Sequence, residues 1–164
     1  DQSLFEHAEG IAVYDTLTGQ ETLVTNGGGD DFAPVGFSKD MSLLYFDSTR
    51  PYGTSPGNRV ASLWVVDLAT GDVTRLTNTD EESVRKGVMV PTISPAAIWT
   101  SDRATAVTSY GSDMGVWRID LVGHRVVARR ISDGDSPTWL VPDETIDVRR
   151  VVNGRETHVQ ETVR

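Results

Sequence analysis

Apolar and polar residues alternate in short runs along the chain. Val, Thr, Tyr and Trp concentrate in the runs, and Gly, Asp, Asn, Ser and Pro separate them. Alternation with period two places every second side chain on one face of an extended strand, whereas a helix repeats near 3.6. Helical periodicity is almost absent, so the pattern predicts an all-β chain. Strands are expected at 11–15, 20–24, 32–37, 42–47, 62–67, 72–76, 94–99, 104–109, 115–120, 126–131, 136–141, 144–151 and 156–162. The turns carry their own chemistry. Thr18-Gly19 and Thr70-Gly71 put Gly where a tight hairpin needs positive φ, and Asn153-Gly154 is the strongest two-residue hairpin signal. The stretch from Thr77 to Ile93, polar and acidic at its start, reads as a long connection.

The strands recur as a unit. Gly10 to Asn26 and Ser62 to Asn78 share an Asp, a Gly and a closing Thr-Asn at one offset, with Asp15 and Asp67, Gly19 and Gly71, and Asn26 and Asn78 each 52 residues apart. A third copy runs from Val116 through Asp120 to Gly123. A second element precedes the later hairpins. It appears from Pro34 through Phe37 to Asp40, from Pro95 through Trp99 to Asp102, and from Pro137 through Trp139 to Asp143. One unit is thus four short strands, an aromatic residue ending the first and an Asp ending the third. Four strands repeating every 40–60 residues is the signature of a propeller blade.

These residues carry a resemblance. Pro-x-x-aromatic-Ser-x-Asp, an apolar strand, Ser-x-Arg, aromatic-x-x-Asp-Leu-x-Thr-Gly and Arg-Leu-Thr together are similar to the TolB-type (PD40, WD40-like) β-propeller repeat. The clearest copy holds Phe37-Ser38-Lys39-Asp40, Ser48-Thr49-Arg50, Leu63 to Gly71 and Arg75-Leu76-Thr77. The next copy keeps Trp99 to Asp102 and Trp117 to Asp120 but has Val122-Gly123 for Thr-Gly, and the last keeps Ser136 to Trp139 and Asp143. The resemblance implies one propeller segment over 1–164. Its pieces are a C–D hairpin at 1–26, blades at 32–78 and 94–132, and an A–B–C piece at 136–164. The fold class expected is therefore all-β, a partial propeller of about three four-stranded antiparallel blades. Propellers close with four to eight blades. Such a chain is a segment of a longer protein, a unit that associates with further copies, or an unusual standalone sandwich.

Charge and composition narrow the function. Of 164 residues none is Cys, and the net charge is -9. That excludes thiolate chemistry and disulfides, and it disfavours a nucleic-acid backbone as partner. No apolar run reaches the length of a membrane span. Asp1-Gln2-Ser3-Leu4 has neither a basic stretch nor an apolar signal core. The resemblance implies an exported protein, periplasmic or extracellular, with the cytoplasm left open.

No catalytic constellation stands out. Tyr110 to Gly115 does not match the Gly-x-Ser-x-Gly elbow of hydrolases that carry such propellers. His7, His124 and His158 fall in separate units without ligand spacing. Asn26 to Asp30 is followed by a strand and lacks the Lys-Ser/Thr of a phosphate loop. Phe37, Trp64, Trp99, Trp117 and Trp139 read as packing between blades, and Asp40 and Asp102 as turn residues that bind backbone amides. No cofactor, metal or catalytic residue is assigned.

The connections between blades are acidic. Asp30 and Asp31, Asp80, Glu81 and Glu82, and Asp133 and Asp135 are expected on one rim, together with the insertion bearing Arg50, Tyr52 and Arg59. This rim is the candidate recognition face, for a protein partner or a cation. The leading reading is a non-catalytic, TolB-like interaction or assembly module, completed by a protein partner or by further copies or segments. The alternative is the propeller portion of a prolyl-oligopeptidase-like or tricorn-like hydrolase whose catalytic domain lies outside this chain. A propeller lyase would need clustered His ligands, which are not present.

Overall fold

The structure, a computed structural model, describes residues 10–27, 30–51, 61–77, 92–94, 96–111 and 114–163. The chain forms two compact units, Asp1–Thr92 and Ile93–Arg164. Thirteen strands lie among the described residues. The first unit holds β1 (Ala12–Asp15), β2 (Gln20–Leu23), β3 (Asp31–Phe37), β4 (Leu43–Ser48), β5 (Ser62–Asp67) and β6 (Val73–Arg75). The second holds β7 (Ile98–Trp99), β8 (Thr105–Ser109), β9 (Val116–Val122), β10 (Arg125–Ser132), β11 (Asp135–Val141), β12 (Thr145–Val152) and β13 (Arg155–Thr162). All pairings are antiparallel. β3-β4-β5-β6 and β7-β8-β9-β10 are four-stranded, β11-β12-β13 has three strands and β1-β2 has two.

The repeat seen in the sequence is a repeat of hydrogen bonds. Between β3 and β4 the Ser38 hydroxyl donates to Asp40 Oδ1 at 2.6 Å, which also accepts the Ser42 N–H at 3.2 Å. Between β7 and β8 the Thr100 hydroxyl donates to Asp102 Oδ1 at 2.7 Å, which accepts the Ala104 N–H at 3.0 Å. Each turn carries one non-glycine residue at positive φ, Met41 at 60° and Arg103 at 55°, held there by this Asp clasp. The hairpins after β1 and β5 match in the same way. Asp15 Oδ1 accepts Leu17 N–H at 2.8 Å, and Asp67 Oδ1 accepts Ala69 N–H at 2.8 Å. Thr25 and Thr77 each accept a strand N–H at 2.9 Å, from Ile11 and Leu63.

Strand register makes the equivalence strict. Leu43 faces Asp67 and Phe46 faces Trp64, just as Thr105 faces Asp120 and Thr108 faces Trp117. The structure departs from expectation in three places. Asp120 does not end its strand, because β9 continues to Val122 and turns through Gly123-His124; its carboxylate accepts instead from the Thr105 hydroxyl at 2.6 Å and Arg118 Nε at 2.8 Å. Strand formation expected at 94–99 is confined to Ile98–Trp99, since Ala97 N–H closes a turn onto Ser94 O at 2.9 Å. Asp143 is not the counterpart of Asp40. The β11–β12 turn, 142–144, is two residues shorter than those at 38–42 and 100–104, and Asp143 occupies its positive-φ position at 63°. Its carboxylate instead accepts the Ser101 N–H at 2.7 Å.

Apolar alternation builds a core in each unit. In the first, Leu44 and Phe46 of β4 and Trp64 and Val66 of β5 meet Ile11, with Val13, Val24 and Phe37 packed around them. In the second, Val107 and Val116 meet Ile146, Val148 and Val163, with Ile98, Ile131 and Trp139 alongside. The Trp139 indole N–H donates to Trp99 O at 3.2 Å, tying the last sheet to the one before. Each sheet thus presses one apolar face on its neighbour within the unit, the contact a blade makes.

Candidate functional site

Asp31 opens β3 and Arg50 follows β4, so antiparallel pairing returns them to the same end of the sheet. Asp31 is 3% exposed. It accepts Arg50 Nε at 2.9 Å, the Ser48 hydroxyl at 2.6 Å and the Gly27 N–H at 3.0 Å, and Arg50 Nη2 closes a bidentate pair. Burial pushes the Asp31 carboxyl up, but the hydrogen bonds from Arg50, Ser48 and Thr25 outweigh it and hold it below the ordinary value. The Arg50 guanidinium also lies over Trp64 at 5.2 Å and Phe46 at 5.8 Å from the ring centroids. These two candidate residues therefore meet in an internal clasp. Asp30, next to it, is exposed and accepts the Thr49 hydroxyl at 3.1 Å.

The second unit repeats the theme. Asp135 opens β11 and accepts Arg149 Nε at 2.8 Å and Nη2 at 3.0 Å. Those bonds lower the Asp135 carboxyl and raise the Arg149 guanidinium. Asp133 stands out from the sheet and pairs with Arg130 at 2.7 Å. Of the expected recognition residues, Asp30 and Asp133 thus face solvent, while Asp31, Arg50 and Asp135 turn to partners inside their own unit. Tyr52, Arg59, Asp80, Glu81 and Glu82 lie outside the described residues.

A cavity of about 220 Å³ is lined by Thr100, Asp102, Thr105, Arg118, Asp143 and Val163. Its guanidinium is committed, since Arg118 Nε also reaches Asp120 Oδ2 at 3.0 Å and its Nη1 donates to Val163 O. Among the described residues no three His, Asp or Glu side chains gather to hold a metal.

Two features escaped the sequence reading. Asp47 on β4 is 6% exposed, its Oδ1 has no hydrogen-bond partner, and burial pushes its carboxyl up to about 7. Tyr45, Leu63 and Val65 share its face. An Asp closing the unbroken apolar run Leu43-Leu44-Tyr45-Phe46 was the available signal. The second feature is an ion ladder across β12 and β13. His158 Nδ1 meets Asp147 Oδ2 at 2.5 Å, its Nε2 meets Glu156 Oε1 at 3.2 Å, and Arg149 reaches Glu156 at 3.5 Å. The hydrogen bond to Asp147, then that to Glu156, raises the His158 pKa above its ordinary value.

Among the described residues the β11-β12-β13 sheet has three strands and β1-β2 has two, against four in each of the others. The crystal structure of TolB from Acinetobacter baumannii superimposes on 94% of this chain with a TM-score of 0.55 and 19% sequence identity. The fold is that of TolB-like propeller blades. The chain spans 35% of the length of that TolB chain, so it has the content of a partial propeller. No sequence-family model matches the chain, and no curated protein does. No described helix is long and apolar enough to cross a membrane.

Proposed function

We propose that this TolB-like segment is a non-catalytic module for protein interaction or assembly. The observation that carries the reading is the pairing state of its third strands. β5 and β9 have neighbours on both sides, whereas β1 and β13, at equivalent positions, each pair on one side only among the described residues. An edge strand presents a row of unsatisfied N–H and C=O groups that template another strand. A protein partner, or further copies or segments that complete the propeller, would satisfy them. Exposed Asp30 in the first unit and exposed Asp133 in the second are carboxylates each available to a protein partner or a cation, with Asp31 and Arg50 bracing the one and Asp135 the other. An exported setting, periplasmic or extracellular, is part of the same proposal.

Sedimentation at micromolar concentration tests it. The expected result is mass well above the 17.9 kDa of one chain, or a shift to such mass on adding the partner. A compact monomer that melts cooperatively and captures nothing through its sheet edges refutes the module reading.

A further inference from the structure

Three places in the chain put a side-chain carbonyl beside a glycine nitrogen: Asn26-Gly27, Asp133-Gly134 and Asn153-Gly154. Such a pair can cyclise on itself, the glycine nitrogen attacking the side-chain Cγ. Glycine permits the approach because it has no Cβ in the way. In a folded chain the ring closes only where that nitrogen and that side chain are free to meet. The three sites differ there.

Asn26-Gly27 is held. The Gly27 N–H donates to Asp31 Oδ2 at 3.0 Å, and a Cβ on Gly27 would meet the same carboxylate. Asp31 is fixed in turn by Ser48 and Arg50, so the peptide between Asn26 and Gly27 turns only if the clasp breaks. The carboxylate also opposes loss of the amide proton, because the nitrogen would become an anion beside an anion. Asp133-Gly134 is held differently. Arg130 pairs with the Asp133 carboxylate at 2.7 Å, and a carboxylate is a weaker electrophile than an amide. A Cβ on Gly134 would meet Arg149 O, so the backbone there is closely packed.

Asn153-Gly154 carries none of these restraints. It forms the two-residue turn between β12 and β13, with φ of 52° at Asn153 and 73° at Gly154, the left-handed pair of a type I′ hairpin. The closing pair is Val152 with Arg155, which leaves the Gly154 N–H unused between them. Neither that N–H nor the Asn153 side chain meets a hydrogen-bond partner among the described residues. A Cβ on Gly154 would meet open space. Every residue from 151 to 158 is exposed, so rotating the Asn153–Gly154 peptide disturbs the end of a ladder and no packed side chain. Turn tips of this kind open at the lowest cost in a fold.

We propose that Asn153 is a site of spontaneous covalent modification, deamidating through a cyclic imide while Asn26 stays protected in the folded chain. Hydroxide takes the proton of the Gly154 nitrogen, and that nitrogen bonds to Asn153 Cγ. The Cγ–Nδ2 bond breaks, and Nδ2 leaves as ammonia with a proton from water, which restores the hydroxide. Water then opens the ring at one of its two carbonyls. Attack at Cγ gives aspartate; attack at the main-chain carbonyl gives isoaspartate, with Gly154 linked through the side-chain carbon. Both products add a negative charge. Isoaspartate also inserts Cβ into the main chain, so the two-residue turn that sets the β12–β13 register is lost at its Val152–Arg155 end.

The site is independent of the interaction-module reading and survives its failure. The test incubates the folded full chain at mildly alkaline pH, digests samples with trypsin and reads the peptides by mass spectrometry. Peptides 1–39 and 151–155 carry Asn26 and Asn153 separately. Conversion at 153 is expected at least about tenfold faster than at 26, the ratio given by about 1.4 kcal/mol of extra opening cost at the clasp. Isoaspartate is expected as a second peak of the 151–155 peptide, equal in mass to the aspartate form. In urea both sites are freed and are expected to react at similar rates. Gly154→Ala is expected to slow conversion at 153 and to leave 26 unchanged. Equal rates in the folded chain, a faster Asn26, or no conversion at 153 overturns the proposal. A preference for 153 that persists unchanged in urea also overturns it, because local sequence and not the fold would then set the rates.

Discussion

Asp47 makes stability depend on pH in a direction opposite to that of the paired carboxylates. It sits on the face of β4 shared with Tyr45, Leu63 and Val65, all three at most 3% exposed. Burial moves its carboxyl from 3.8 to about 7, so folding costs the ionised form about 4 kcal/mol more than the protonated one. The native state therefore holds a proton that the unfolded chain has lost between those two values. Stability falls as pH rises through that window, and the loss is complete above it. Between pH 5 and pH 8 the fall amounts to about 2.5 kcal/mol. Asp31 and Asp135 are held below the ordinary carboxylate value and Asp40 at about 2, so they cost stability only in more acid solution. Asp47→Asn removes the charge and keeps the shape. Urea unfolding followed by tryptophan fluorescence is the assay, Trp64 being the one tryptophan before residue 93. The stability of the variant relative to the parent is expected to rise by about 2.5 kcal/mol from pH 5 to pH 8. A difference constant across that range shows that the parent's carboxyl ionises normally, and it refutes a dry, unpartnered site.

Asp31→Ala leaves Arg50 half-enclosed without its counter-ion and is expected to destabilise by about 3 kcal/mol; Arg50→Met added to it should restore part of the loss, and a double-mutant cycle by urea unfolding measures the coupling. His158 is expected to titrate above 6.5 by NMR and to move down in Asp147→Asn. Its contribution to stability is present below the unfolded value and is lost as pH rises through the folded one. Gly115 has φ of 80°, and a Cβ there meets the Ser132 carbonyl and the Arg130 guanidinium, so Gly115→Ala should cost at least about 2 kcal/mol in thermal or urea unfolding. Gly154, at φ 73° with open space around it, should lose only about 1 kcal/mol on changing to Ala.

Sequence periodicity by itself determined the all-β class and most of the strands. The side-chain period of two is local, and the Asp, Thr and Gly of each turn act on backbone within a few residues. Asp40 and Asp102 clasp amides two residues on, and Asp15 and Asp67 do the same, so these roles could be read without coordinates. Tertiary structure decided which charges are available. Asp30 and Asp31 are adjacent residues of one type, yet one is exposed and the other is enclosed by Arg50, Ser48 and Gly27. Their difference depends on where Arg50, 19 residues later, is returned by β4. Asp47 depended in the same way on what covers both faces of a strand. Partnership across sheets is a long-range property, and alternation along one strand carries no record of its neighbours.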